Sequence, residues 1–167
     1  MQINKKQILE ICKVSWAAGK KILKIYSKKF KIFRKKDNSP VTLADLESEK
    51  TIIKGLKEIF KKPVIFSEET NYKNIGNSNS FWLVDPLDGT KEFVEGIPNF
   101  VISIGLVENG RPILGTIYNP VTKELFTAYK NNGIKLNGLE YKISTENQFN
   151  MMSMLNSRSE TKAGLWD

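Results

Sequence analysis

Phe81-Trp82-Leu83-Val84-Asp85-Pro86-Leu87-Asp88-Gly89-Thr90 sets the reading of this chain. Its first four residues are apolar without interruption, which predicts a strand covered on both faces. Pro86 fixes φ and has no N–H for a ladder, so the chain is expected to turn there. Such a turn can bring two aspartates, three residues apart, to one point with the carbonyl of Leu87. That is an all-oxygen set, suited to a hard cation such as Mg²⁺. Gly89 lets the backbone approach an anion, and a helix starting near Thr90 turns its free N–H groups toward it. Asp, Pro and Gly also build ordinary surface turns, which is the competing reading. Against it stands the apolar strand just before the turn. Two neighbouring carboxylates would also repel unless something positive lay between them.

Upstream, Pro63-Val64-Ile65-Phe66 reads as a short strand ending at Ser67-Glu68-Glu69. A Glu pair in a loop is by itself merely solvated. If this strand lies beside the one beginning at Trp82, however, Glu68 and Asp85 emerge at the same sheet edge. A helix is predicted from residue 4 to about 28, with Ile8, Ile11, Ser15, Ala18, Ile22 and Ile25 at helical spacing. Residues 31 to 41 hold the turn-prone run Asp37-Asn38-Ser39-Pro40. A second helix runs from about Leu43 to Phe60, capped by Thr42, with Leu46, Ile53, Leu56 and Phe60 as its buried stripe. Asp45 falls three residues after Thr42, where a capping box explains it. That structural role is compatible with a catalytic one.

Downstream, Leu87 to Asn99 reads as a loop with at most a short helix. Phe100 to about Lys142 reads as an antiparallel meander. Its strands are Val101–Val107, Ile113–Tyr118 and Leu125–Tyr129, punctuated by Asn109-Gly110, Asn119-Pro120, Asn132-Gly133 and Asn137-Gly138. The expected class is α+β, or a layered α/β sandwich, with two N-terminal helices packed on a mostly antiparallel sheet.

Composition narrows the chemistry. With 167 residues, 40% hydrophobic and 26% charged, the chain suits one globular domain. No apolar run approaches the ~20 residues of a membrane helix, and Met1 to Lys6 leads into an amphipathic pattern unlike a signal peptide. A cytoplasmic location is expected. Cys12 is the single cysteine, so no intrachain disulfide forms. Histidine is absent, which removes Ser-His-Asp and Cys-His triads and His-rich zinc sites. Acid–base work falls to carboxylates, hydroxyls, lysines or metal-bound water. The net charge of +8 is concentrated between Lys20 and Lys36, which reads as a solvated helix face. No aromatic-basic motif accompanies it, so nucleic acid is not an expected partner. Peripheral contact with the inner membrane's cytoplasmic face through these lysines is the alternative.

Taken together, Ser39-Pro40-Val41-Thr42-Leu43-Ala44-Asp45, Ser67-Glu68-Glu69 and Trp82 to Thr90 resemble the inositol monophosphatase superfamily, in the order that family shows them. Lys91-Glu92-Phe93 and Ser157-Arg158-Ser159 look more like its 3′(2′),5′-bisphosphate nucleotidase branch, the CysQ-type enzymes. The resemblance runs from about residue 5 to residue 159. It implies a Mg²⁺-dependent phosphomonoesterase acting on a small-molecule phosphate ester. The implied metal ligands are Glu68, Asp85, Asp88 and the Leu87 carbonyl. Asp45, Glu68 and Thr90 are the implied catalytic residues, with Asp45 and Thr90 positioning the attacking water. Glu68, Leu87, Asp88, Gly89 and Thr90 would line the phosphate. The implied reaction converts adenosine 3′,5′-bisphosphate to AMP and phosphate, with inositol or sugar phosphate hydrolysis as the alternative.

One departure stands out. The family continues into a second α/β portion ending in a Trp-Asp pair whose Asp binds metal. This chain reaches Trp166-Asp167 with far too few residues between to contain that portion. Residues 1–159 are expected to form the metal-binding half of the fold and 160–167 a tail at a truncation point. Such a fragment is expected to self-associate or to bind a chain supplying the missing half, with Ser144 to Asp167 mobile. An inactive metal- or anion-binding remnant is the non-enzymatic alternative.

Overall fold

The computed structural model of the chain describes residues 3–28, 30–34, 40–70, 78–145, 147–148, 151 and 157–164. Helix α1 (Lys5–Tyr26) starts where the sequence supplies a full capping box. The Asn4 side chain accepts from the Gln7 N–H at 2.9 Å, and the Gln7 side chain accepts from the Asn4 N–H at 3.1 Å. Its buried face is Ile11, Cys12, Ser15, Ala18, Gly19 and Ile22. Helix α2 (Leu43–Ile59) is capped by Thr42 as the sequence predicts. The two helices pack together, and at Gly55 of α2 a Cβ would run into Val14 of α1.

The buried face of α2 differs from its expected stripe. Ala44, Asp45, Ser48, Glu49, Ile52 and Leu56 turn inward, whereas Leu46 is 45% exposed. Residues 44, 48, 52 and 56 hold the helical period, so the stripe is displaced around the helix. Three polar side chains lie inside it because that end of the helix faces the site described below. Residues 31–41, expected as a turn, contribute strands β1 (Ile32–Arg34) and β2 (Pro40–Thr42), paired antiparallel. The run Asp37-Asn38-Ser39 lies outside the described residues.

Seven strands form one sheet in the order β3-β4-β5-β6-β7-β8-β9. They are β3 (Ile65–Ser67), β4 (Ser80–Asp88), β5 (Val101–Glu108), β6 (Arg111–Asn119), β7 (Glu124–Tyr129), β8 (Ile134–Leu136) and β9 (Leu139–Tyr141). Only β3 and β4 run parallel; the rest is the expected meander. Helices α1 and α2 cover one face. There Trp82, Val84, Ile102, Ile104, Leu106 and Leu114 are buried against Ile11, Ile22, Ile52 and Leu56. Each fully buried aliphatic side chain contributes roughly 1.5–3 kcal/mol of transfer free energy.

Among the described residues nothing covers the opposite face, which corrects the reading of β4 as buried on both sides. Leu83 is 48% exposed while Trp82 and Val84 beside it are buried. A second correction concerns Pro86. The strand runs on through it to Asp88, and the register with β5 shifts between Asp85↔Ser103 and Asp88↔Val101. A β-bulge places one extra residue in β4 there, so no ladder bond is required of the proline. Short helices α3 (Thr90–Val94) and α4 (Arg158–Lys162) complete the described structure. The Arg158 guanidinium lies 3.5 Å from Glu92 and 3.4 Å from Glu95, which ties α4 to α3 and its end.

Candidate metal and phosphate site

Two turns supply the acidic groups. The parallel pairing of β3 with β4 sets Ser67 opposite Val84, and the Glu68 N–H donates to the Val84 carbonyl at 3.0 Å. Glu68, just past the end of β3, therefore lies beside Asp85 of β4. Phe66, Glu68, Leu83, Asp85, Ser103 and Gly105 border an open cleft of about 460 Å³ on the uncovered face.

The bulge does the rest. The Leu87 N–H donates to Asp85 Oδ1 at 3.1 Å, which folds the Asp85 carboxylate back along the chain. Gly89 follows with φ +90°, and a Cβ there would lie 2.7 Å from the Asn99 carbonyl oxygen. Both facts call for glycine. Helix α3 then begins at Thr90, within the stretch read as a loop with at most a short helix. Thr90 Oγ1 lies 3.0 Å from Asp45 Oδ1 and 3.0 Å from the Leu87 carbonyl oxygen. One hydroxyl proton serves one of these acceptors at a time.

Helix α2 lies beneath all of this. Asp45, fully buried, accepts from the Thr42 N–H and the Thr42 hydroxyl, each at 2.7 Å, and from Thr90. Burial pushes its carboxyl above the ordinary carboxylate range, and these hydrogen bonds offset part of the shift. Ser48 Oγ donates to the Pro86 carbonyl at 2.7 Å. Thr70 Oγ1 donates to Glu49 Oε1 at 2.6 Å.

The electrostatics single out Asp85. Burial raises its carboxyl first, and the charge and hydrogen-bonding contact of Glu68 and the charge of Asp88 add to this. The result is about 7, despite the opposing Leu87 N–H. Among the described residues, no three acidic side chains close into a finished cation cage. Glu68 and Asp85 meet, whereas Asp88 is exposed and acts on Asp85 through its charge. The donors are all oxygens, two carboxylates in contact and a third nearby, with the Leu87 carbonyl turned toward Thr90. That set fits a hard divalent cation and suits neither a soft nor an imidazole-seeking metal.

The structure thus brings Asp45, Leu87 and Thr90 into direct contact, and Glu68 with Asp85, with Gly89 between Asp88 and Thr90. Trp166 and Asp167 lie outside the described residues. Ser48 and Glu49 escaped the sequence reading. With Asp45 they form an i, i+3, i+4 polar stripe on one helix face, a pattern visible in the sequence had it been weighed.

Comparison with known proteins follows the same boundaries. A sequence model of the inositol monophosphatase family matches residues 4–165. The 3′(2′),5′-bisphosphate nucleotidase CysQ of Buchnera aphidicola is 43% identical over 137 residues, covering 80% of this chain and 52% of that protein. The crystal structure of the extragenic suppressor protein suhB from Bartonella henselae superposes with a TM-score of 0.77 at 32% identity, over 85% of this chain and 55% of that one. CysQ from Bacteroides thetaiotaomicron gives a TM-score of 0.69 at 34% identity, over 86% and 53% respectively. The chain spans about half the length of the curated relatives it matches.

Proposed function

This chain belongs to the inositol monophosphatase family, and from that premise we propose that its site is the metal-binding half of a Mg²⁺-dependent phosphomonoesterase. The observation that carries the reading is the meeting of Glu68 and half-buried Asp85 at the edge of the open cleft, with Asp88 near enough to act on Asp85 through its charge. Carboxylates gathered at that cost are explained by a cation that repays it. Glu68, Asp85, Asp88 and the Leu87 carbonyl hold Mg²⁺ in this proposal. Bound there, the ion supplies Lewis-acid polarisation of a phosphoryl oxygen and acidifies water without a histidine.

The chain's own residues do the remainder. Thr90, donating to Asp45, keeps its oxygen lone pairs free to accept from the attacking water and hold it in line. Asp45 is fixed for that task by Thr42. The backbone N–H groups of Gly89 and Thr90 donate to the phosphate oxygens. Water's oxygen bonds to phosphorus as the bond to the leaving oxygen breaks, and the leaving oxygen ends protonated.

The proposed substrate is adenosine 3′,5′-bisphosphate, cleaved to AMP and phosphate. Support comes from CysQ-type relatives at 43% and 37% identity. Phosphate release from this substrate and from inositol 1-phosphate, with Mg²⁺ and with chelator, tests it. Preference for the inositol ester moves the chain to the alternative substrate class. Mg²⁺ binding without turnover supports an inactive remnant. No Mg²⁺ binding overturns the reading.

The proposed partner is a further protein layer on the uncovered sheet face. Leu83 and Ile117 are each 48% exposed there, and Leu139 76%. The occupant is a second copy or a chain carrying the portion by which the relatives are longer. No described helix is long and apolar enough to cross a membrane.

A further inference from the structure

Helix α2 touches every segment that carries a site residue, through a separate side chain in each case. Asp45 holds Thr90, at the start of α3. Ser48, fully buried, donates 2.7 Å to the carbonyl of Pro86, at the centre of the β4 bulge. Glu49, 9% exposed, accepts 2.6 Å from Thr70, two residues beyond Glu68. We infer that Ser48 and Glu49 are positioning residues that hold the Asp85 bulge and the Glu68 turn at one separation; this rests on the metal-site reading above.

The physical case lies in what each turn lacks. A bulge breaks its ladder, and Pro86 brings no N–H, so hydrogen bonds from the sheet fix this segment poorly. A direct bond from a buried hydroxyl to its carbonyl replaces that restraint. The Glu68 turn leaves a strand of only three residues at the sheet edge. The Thr70–Glu49 contact ties it to helix α2. Helix α2 is rigid between Ser48 and Glu49, since they are adjacent on a helix of 17 residues. The two contacts therefore transmit one geometry to both turns. Neither Ser48 nor Glu49 needs to touch metal or substrate for this. Groups that orient ligands from behind typically account for ~10–100-fold in metal affinity or activity.

The test uses Mn²⁺ as the probe, with binding followed by loss of its solution EPR signal and the fold followed by circular dichroism and melting in chelator. Ser48→Ala, Glu49→Ala and Thr70→Val are each expected to weaken Mn²⁺ binding by ~10–100-fold. Glu49→Gln keeps an acceptor for Thr70 and is expected to recover most of the loss. Glu49→Ala and Thr70→Val act on one bond, so the double variant is expected to be no worse than the worse single one. Thr70 is on a half-buried turn, so Thr70→Val decides the matter if Glu49→Ala does not fold. Asp85→Asn is the benchmark. If the wild type binds Mn²⁺, Asp85→Asn abolishes it, and Ser48→Ala and Thr70→Val bind as tightly as wild type, the positioning role is overturned and the metal site stands. If the wild type binds no Mn²⁺, both fall.

Discussion

The two faces of the seven-stranded sheet are built from the same strands and behave differently. On one, Ile102, Ile104 and Leu106 are completely buried under α1 and α2. On the other, Leu83 and Ile117 are about half exposed, and the paired glycines Gly105 and Gly115 leave a bare patch between them. The acidic groups lie where these regimes meet. Asp85 and Glu68 border the open cleft, while Asp45, Ser48 and Glu49 hold Thr90, the Pro86 carbonyl and Thr70 from the covered side. The covered face supplies rigidity, and the open one supplies access for a cation and an anion. A site of opposed charges needs both, because the carboxylates must be held together before the cation arrives.

The largest effect should separate the faces directly. Leu106→Ala is expected to cost ~2–5 kcal/mol in denaturant unfolding, the range for fully buried aliphatic truncations. Leu83→Ala, one strand away on the open face, should stay within about 0.5 kcal/mol. Equal costs would mean that the open face is already covered in solution.

Next, Asp85→Asn should reduce divalent binding and any Mg²⁺-dependent phosphate release beyond the ~10–100-fold typical of supporting residues. The metal-free variant should melt no lower than wild type at pH 7.5, because the substitution relieves repulsion. A large drop in its melting temperature would make Asp85 a structural residue.

A smaller effect follows from pH. Asp85 keeps its proton to about pH 7 in the folded metal-free chain and releases it near 3.8 in the unfolded one. Between those values the folded state binds more protons, so this group's contribution to stability falls as pH rises from about 4 to about 7, then levels. Asp45 acts in the same sense. Melting curves in chelator across this range should show the decline, weakened in Asp85→Asn. Divalent affinity should move oppositely, gaining up to about tenfold per pH unit below 7.

The smallest effect concerns association. Sedimentation at several concentrations should show self-association that Leu83→Ser with Ile117→Ser reduces without changing the melting temperature in dilute solution. A concentration-independent monomer would leave the open face without a second copy as its occupant.

Much of this was written locally. The order of helices and meander and the Thr42 cap follow from period, turn residues and strand ends, whereas the parallel adjacency that joins Glu68 to Asp85 stood only as a condition on how two strands pair. The start of α3 after Gly89 likewise stood as a condition. Pro86 was misread as a turn because a proline's missing N–H excludes a regular ladder, while a bulge escapes that exclusion only with a neighbouring strand to shift against. Leu83 was misread because an apolar run does not state how many layers lie above it. The β1–β2 pairing was missed because both strands are three residues long and β1 is exposed throughout.

The sequence by itself determined the elements, the donor types and their spacing, since these depend on residues within a few positions of each other. Only the tertiary structure decided which face of the sheet stays open, that Glu68 raises Asp85, and that α2 grips both turns through Ser48 and Glu49. The two grips of α2 join residues 21 and 38 positions apart. Their distance from one another is set by how a helix packs on a sheet, which no local pattern encodes.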